Sequence, residues 1–177
     1  MKAFTATLSL AALALALPAA PLAAQQRPNF DATSAETAPV GEAYFAAYIA
    51  RDWDALEPLL ADAASFRDPT AELVFGGALA DGKAAMMTLF RQGYAGITRM
   101  EFRPLRTLHA GHYAIFEGEL DWALDMGDGS GEGRIVESVM PFVTLLRIED
   151  GLVVEHRDYA DYAPFLAAAR AARDAAG

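Results

Sequence analysis

PFVTLLRIEDGLVVEHRDYADY, residues 141–162, decides how the rest of the chain is read. Two apolar runs flank Glu149-Asp150-Gly151, a turn-forming triplet, so 134–148 and 152–159 predict an antiparallel hairpin. In its second arm, His156 and Asp158 stand two residues apart. Side chains at i and i+2 share one face of a strand. One face then carries Val154, His156 and Asp158, and the other Val153, Glu155, Arg157 and Tyr159. Either the first face is solvated, or an imidazole and a carboxylate point into an interior.

Working outward, 100–109 and 113–126 predict two more strands around Ala110-Gly111, and the glycine-rich 127–133 joins them to the hairpin. Pro141 inside a strand predicts a bulge or bend. A last helix is expected over 162–173, with Pro164 in its first turn. Upstream, Val40, Tyr44, Ala47 and Tyr48 fall on one helical face. Asp52 reads as the N-cap of a second helix, with Trp53, Leu56, Leu59 and Leu60 turned inward. A short strand over 64–67 is stopped by Asp68-Pro69, and 73–75 is expected to pair with it. Asp81-Gly82 opens a third helix over 83–94. The order gives an α+β fold: three N-terminal helices on a curved, mainly antiparallel sheet, plus a C-terminal helix. Such a cone-shaped roll has an apolar interior suited to a small molecule.

Lys2, the Leu/Ala run and the small-residue exit at 21–24 predict an export signal over 1–24, and hence a periplasmic or secreted protein. The apolar run is too short to span a bilayer. Residues 25–39 are polar and read as a flexible tether before a single domain, 40–177. With no Cys, neither disulfide nor thiol nucleophile is available. The net charge of −10, one unit more negative without Lys2, argues against nucleic acid and anionic membrane as partners.

The segment 44–56, then 60–69 with its Phe66-Arg67-Asp68-Pro69, resembles the opening of SnoaL-like proteins of the nuclear transport factor 2-like superfamily. The ending over 141–162 resembles the same family's last hairpin. The resemblance implies a cone-shaped fold whose last strand lines a pocket, and commonly a homodimer through the sheet. In the related ketosteroid isomerases a similar Asp-Pro ends the first strand and its Asp is the general base, which points to Asp68. A helical Tyr at the position resembling Tyr44 donates to the developing oxyanion. Those enzymes carry a protonated acid in the penultimate strand, where this chain has Thr144. His156 and Asp158 match the pair that SnoaL-like cyclases use in kind, the His as a proton shuttle and the carboxylate as its orienter. Phe66, Phe90, Phe142, Leu146 and Val154 are the expected apolar lining, beside Thr144.

Bland roles compete with each of these. Asp before Pro initiates turns, and a helical Tyr is commonly a core aromatic. Glu117, Glu119 and Asp121 share one strand face and read as solvated or interface-facing, because unpaired carboxylates in an apolar pocket are costly. His109 and His112 flank a tight turn, and no His spacing suits a metal site. The GxGxG of 127–133 opens no helix, so it reads as a hairpin loop, and no nucleophile elbow is present. The expected function is binding of a small apolar or cyclic molecule, with cofactor-free proton-transfer chemistry of the isomerase, cyclase, dehydratase or hydrolase type. The alternative is a non-catalytic binding or assembly module on the same fold.

Overall fold

The computed structural model describes residues 29–127 and 135–175. The expected signal, residues 25–28 of the expected tether, residues 128–133 of the expected glycine-rich turn and residue 134 of the expected strand lie outside this range. Helix α1, Phe30–Ala50, starts well before Val40, so the tether reading is corrected from Phe30 onward. Asn29 caps it by accepting the Ala32 N–H at 3.3 Å. Tertiary anchors then hold the polar first turns. Ser34 Oγ accepts the Gly111 N–H, and Thr37 Oγ1 donates to the Gly111 carbonyl, each at 2.7 Å. Composition alone carries no sign of such partners, and packing rather than propensity stabilises most helices.

A second short helix, α2, Trp53–Leu56, is capped by Asp52 as expected. It leads through a 3-10 turn into β1, Leu60–Arg67. Residues 73–75, expected as a strand, instead end α3, Pro69–Phe75. Asp68 at the N-cap and Pro69 at the first helical position start this helix, and an apolar triplet is too short to show its period. The strand that pairs with β1 is β2, Leu79–Asp81, followed by α4, Lys83–Gly93. The first half therefore carries one helix more than expected.

The rest is β3, Ile97–Ala110, β4, Tyr113–Asp125, β5, Ile135–Glu149, β6, Leu152–Ala160, and α5, Ala163–Asp174. The sheet order is β2-β1-β6-β5-β4-β3, antiparallel except where β1 lies parallel to β6. Along β5 every second residue from Val136 to Ile148 is buried, the signature of a sheet covered on one face. No bulge marks Pro141, which sits opposite Glu119 in even register. Its carbonyl accepts the Asp161 N–H just past the end of β6, so the missing proline N–H interrupts no ladder. Helix α1 lies close on β4: a Cβ on Gly41 would come within 2.7 Å of the Ala114 Cβ. Among the described residues, no helix is long and apolar enough to cross a membrane.

The acidic row of β4 lies on the outer face and is answered by arginines of β3. Arg99 and Arg103 both reach Asp121, and Arg106 reaches Glu117. Glu137 joins through Arg99. His109 is less exposed than its turn suggested: it is half-buried, with Glu42 at 3.3 Å.

Candidate active site

Strand β6 sets the site, and one irregularity in it decides which residues face inward. The β5–β6 pairing slips between Arg147 and Ile148, so Arg147 pairs with Glu155 but Ile148 with Val153. This bulge breaks the alternation. Val153, His156, Asp158 and Ala160 are buried, while Val154 is half-buried. The expectation that Val154 shares the inner face of His156 is therefore corrected, and Val153 takes that place. His156 and Asp158 do share the inner face.

Asp158 is 1% exposed and collects three donors. Thr144, directly across the ladder on β5, donates its hydroxyl to Oδ1 at 2.5 Å. His156 Nε2 approaches the same oxygen at 2.9 Å, and the Tyr48 hydroxyl donates to Oδ2 at 2.6 Å. A carboxylate has about four lone-pair positions, so one remains open.

The hydrogen positions follow by counting. An ionised carboxylate only accepts, so His156 carries its hydrogen on Nε2. Tyr44 is fully buried and its hydroxyl lies 3.0 Å from His156 Nδ1. A buried hydroxyl hydrogen needs an acceptor, so Nδ1 accepts it and the imidazole is neutral. On the other side, Tyr48 spends its one hydrogen on Asp158, so the Tyr94 hydroxyl, 2.5 Å away, donates to Tyr48. The result is one hydrogen-bonded chain, Tyr44, His156, Asp158, Tyr48 and Tyr94, buried except at the half-buried Tyr94. Burial first, and the Asp158 charge second, push the three phenols far above their usual range, so they stay neutral.

Asp68 forms a second centre. It ends β1 and caps α3: Oδ1 accepts the Thr70 hydroxyl at 2.5 Å and the Ala71 N–H at 2.7 Å. Its Oδ2 accepts the Tyr162 hydroxyl at 3.0 Å. Burial holds the carboxyl above the usual aspartate range against these donors, and the Asp158 charge adds to the rise. Burial, then the Asp68 charge, also pushes the Tyr162 phenol up.

The two carboxylates line one cavity of about 260 Å³. That is near the small end of ligand pockets, which begin at roughly 300 Å³. Tyr48, Tyr94 and Tyr162 share its wall with apolar groups including Phe66, Phe142 and Trp122. Of the residues singled out from sequence, Asp68, Asp158, Phe66 and Phe142 line it. Tyr44, His156 and Thr144 stand behind Asp158, reaching the cavity only through it. Phe90, Leu146 and Val154 are not on the wall; Phe90 and Leu146 are core residues. Sequence reasoning missed Tyr94, Tyr162 and Trp122, and read Tyr48 only as a core position. Tyr48 had a signal, since it stands one helical turn from Tyr44 on the inward face. Trp122 had one as well, since it alternates with the acidic row of β4 and so falls on the opposite, inward face. Tyr94 and Tyr162 had none, because they reach the cavity from the end of α4 and the start of α5.

Residues 42–156 match the model of the SnoaL-like domain. No curated protein matches the chain. A structure from Shewanella denitrificans OS-217, assigned by name to the SnoaL-like polyketide cyclases, superposes with a TM-score of 0.65 at 17% identity, covering 76% of this chain and 97% of that one. The LEH-like epoxide hydrolase of M. tuberculosis gives 0.59 at 18% identity over 80% and 94%. An NTF2-like protein of unknown function from Burkholderia pseudomallei K96243 gives 0.59 at 19% over 78% and 95%. At these identities the likeness is one of fold.

Proposed function

This chain belongs to the SnoaL-like domain family, and we propose that its cavity is an active site for cofactor-free proton transfer on a small, largely apolar molecule. The observation that carries this reading is Asp158: a buried carboxylate on a cavity wall, held by three side-chain donors with one lone-pair position open. Fixed donors keep a carboxylate in one orientation, and apolar walls exclude the water that would compete for its proton. Asp158 removes a proton from the bound molecule and returns it to a neighbouring atom, which is the balance of an isomerisation. His156 does not touch the substrate in this reading. Its neutral ring, locked by Tyr44, positions Asp158.

The base expected at Asp68 thus moves to Asp158. Asp68 is tied by as many donors as Asp158, but one of its ties is to the Ala71 N–H that it caps at the start of α3, and this structural task favours a holding role for it. The same ties favour the second reading, a binding pocket without chemistry, in which both carboxylates only position a ligand. Turnover decides between them. A panel of lipophilic ketones, lactones, epoxides and amines, ranked by thermal shift, supplies substrates. Asp158→Asn is expected to lower turnover about a hundredfold or more, the scale of a general base. Unchanged turnover in that variant removes Asp158 as the base, and tight binding with no turnover of any ligand gives the second reading.

The same proposal includes export and self-association. Lys2, the apolar run after it and the small-residue exit support cleavage near Ala24. Val139 and Tyr159 on the outer sheet face, each 40% exposed, support a homodimer through that face. Mass spectrometry of the mature protein, expected to begin near Gln25, tests the first; an intact Met1 on soluble cytoplasmic protein sinks it.

A further inference from the structure

At the carboxylate end of the cavity the hydroxyl hydrogens are already spent. Tyr162 donates to Asp68, Tyr48 to Asp158, and Tyr94 to Tyr48. These groups therefore offer a ligand lone pairs: an open position on each carboxylate and the phenolic oxygens of Tyr94 and Tyr162. Among the described residues, no Arg, Lys or His lines the wall. His156, behind Asp158, is neutral because Tyr44 donates to its Nδ1. The enclosure thus carries two carboxylates and no counter-charge of its own, inside a wall rich in aromatic rings such as Phe66, Phe75, Trp122 and Phe142.

Such a site selects by sign. An anion meets two like charges in apolar surroundings, where Coulomb repulsion is weakly screened. A molecule that only accepts hydrogen bonds finds no hydrogen on these hydroxyls. A cation finds compensating charge, acceptors and ring faces that attract it. We propose that the ligand of this cavity is a small organic cation, a protonated amine on an apolar body about the size of one aromatic ring. This rests on the reading of the cavity as the functional site and names its substrate class. The ammonium group is seated at Asp68 and the Tyr162 oxygen, so that Asp158 keeps its open position for the reacting hydrogen. The raised Asp68 carboxyl is consistent with this, since its cause is burial beside a second carboxylate with no cation at hand. The acidic chain, at net −10, also draws cations towards it.

Four probes of one shape test the proposal on the full chain by calorimetry: benzylamine, benzyl alcohol, acetophenone and benzoate. Benzylamine is expected to bind about tenfold or more tightly than the alcohol or the ketone, the scale of one charge-assisted contact, with benzoate not binding. Asp68→Asn keeps a side chain able to cap α3 and removes the charge. It is expected to bring benzylamine down to the affinity that benzyl alcohol shows in the same variant. Circular dichroism checks that the variant is folded, and Asp68→Ser, another capping residue, repeats the test if it is not. Neutral probes that match benzylamine, benzoate binding, no benzylamine binding at millimolar concentration, or an amine preference that survives both variants would each overturn the proposal. Turnover of a neutral ketone that depends on Asp158, with no amine preference, removes this inference and leaves the catalytic reading standing. An Asp68-dependent amine preference with no turnover does the reverse.

Discussion

Thr144 and Asp158 face each other across the β5–β6 ladder, and the Thr144 hydroxyl donates to Asp158 Oδ1 at 2.5 Å. The carboxylate comes from the strand beside it, and the threonine serves it. Thr144→Val keeps the shape and removes a donor to a buried carboxylate. The expected cost is about 1–3 kcal/mol of stability, with Thr144→Ser recovering most of it. Urea denaturation measures this. A valine variant as stable as wild type would show that the bond contributes nothing.

Tyr44→Phe leaves His156 Nδ1 buried without a partner, 112 positions away in sequence. A loss of about 1–3 kcal/mol is expected. Because Tyr44 is not on the cavity wall, turnover is expected to fall much less than in Asp158→Asn. A drop equal to that of Asp158→Asn would instead put Tyr44 among the groups that touch substrate.

The raised Asp68 carboxyl carries a sign for stability. Native Asp68 holds its proton to higher pH than the unfolded chain, whose reference value is 3.8. Its contribution is therefore fully present below that reference and is lost as pH rises through the native value. Asp68→Asn has no such loss. The difference between wild type and variant in urea midpoint is expected to shift in favour of the variant as pH climbs from about 4 towards neutrality. A difference that stays flat over that range contradicts the assignment.

Gly41→Ala tests how closely α1 rests on β4. Alanine improves intrinsic helix propensity by up to about 1 kcal/mol. Its methyl, however, meets the Ala114 Cβ at 2.7 Å, and both lie on backbones that move little. Overpacking of this kind costs about 1–3 kcal/mol, so net destabilisation is expected in thermal melts. A rise in melting temperature would mean the helix yields freely.

The proposed dimer is tested on the outer face of the sheet. Val139→Lys places a charge on the outer face of β5 without entering the core, since Val139 is 40% exposed. Wild type is expected to run at dimer mass in light scattering at micromolar concentration, and the variant at monomer mass. A monomeric wild type sinks the dimer directly.

Much of this architecture is local, and local features are legible. The alternation in β5, the Glu149-Asp150-Gly151 turn and the Asp52 cap follow from side-chain period and turn chemistry within a few residues. The inward pairing of His156 with Asp158 follows from a spacing of two on one strand. Other features needed partners distant in sequence. The first turns of α1 are held by Gly111, and nothing near Ser34 or Thr37 announces it. The inward turn of Val153 in place of Val154 comes from a slip against β5, and register is a property of two strands rather than one. Asp68 looked like either a base or a turn initiator, and the sequence allowed both; folding made it the cap of α3 and gave it a place on the cavity wall. The chain of Tyr44, His156, Asp158, Tyr48 and Tyr94 joins α1, β6 and the end of α4. Sequence fixes which residues exist to donate and accept. Only the packing of helices onto the sheet brings each donor within 3 Å of its acceptor and removes the water that would otherwise satisfy both.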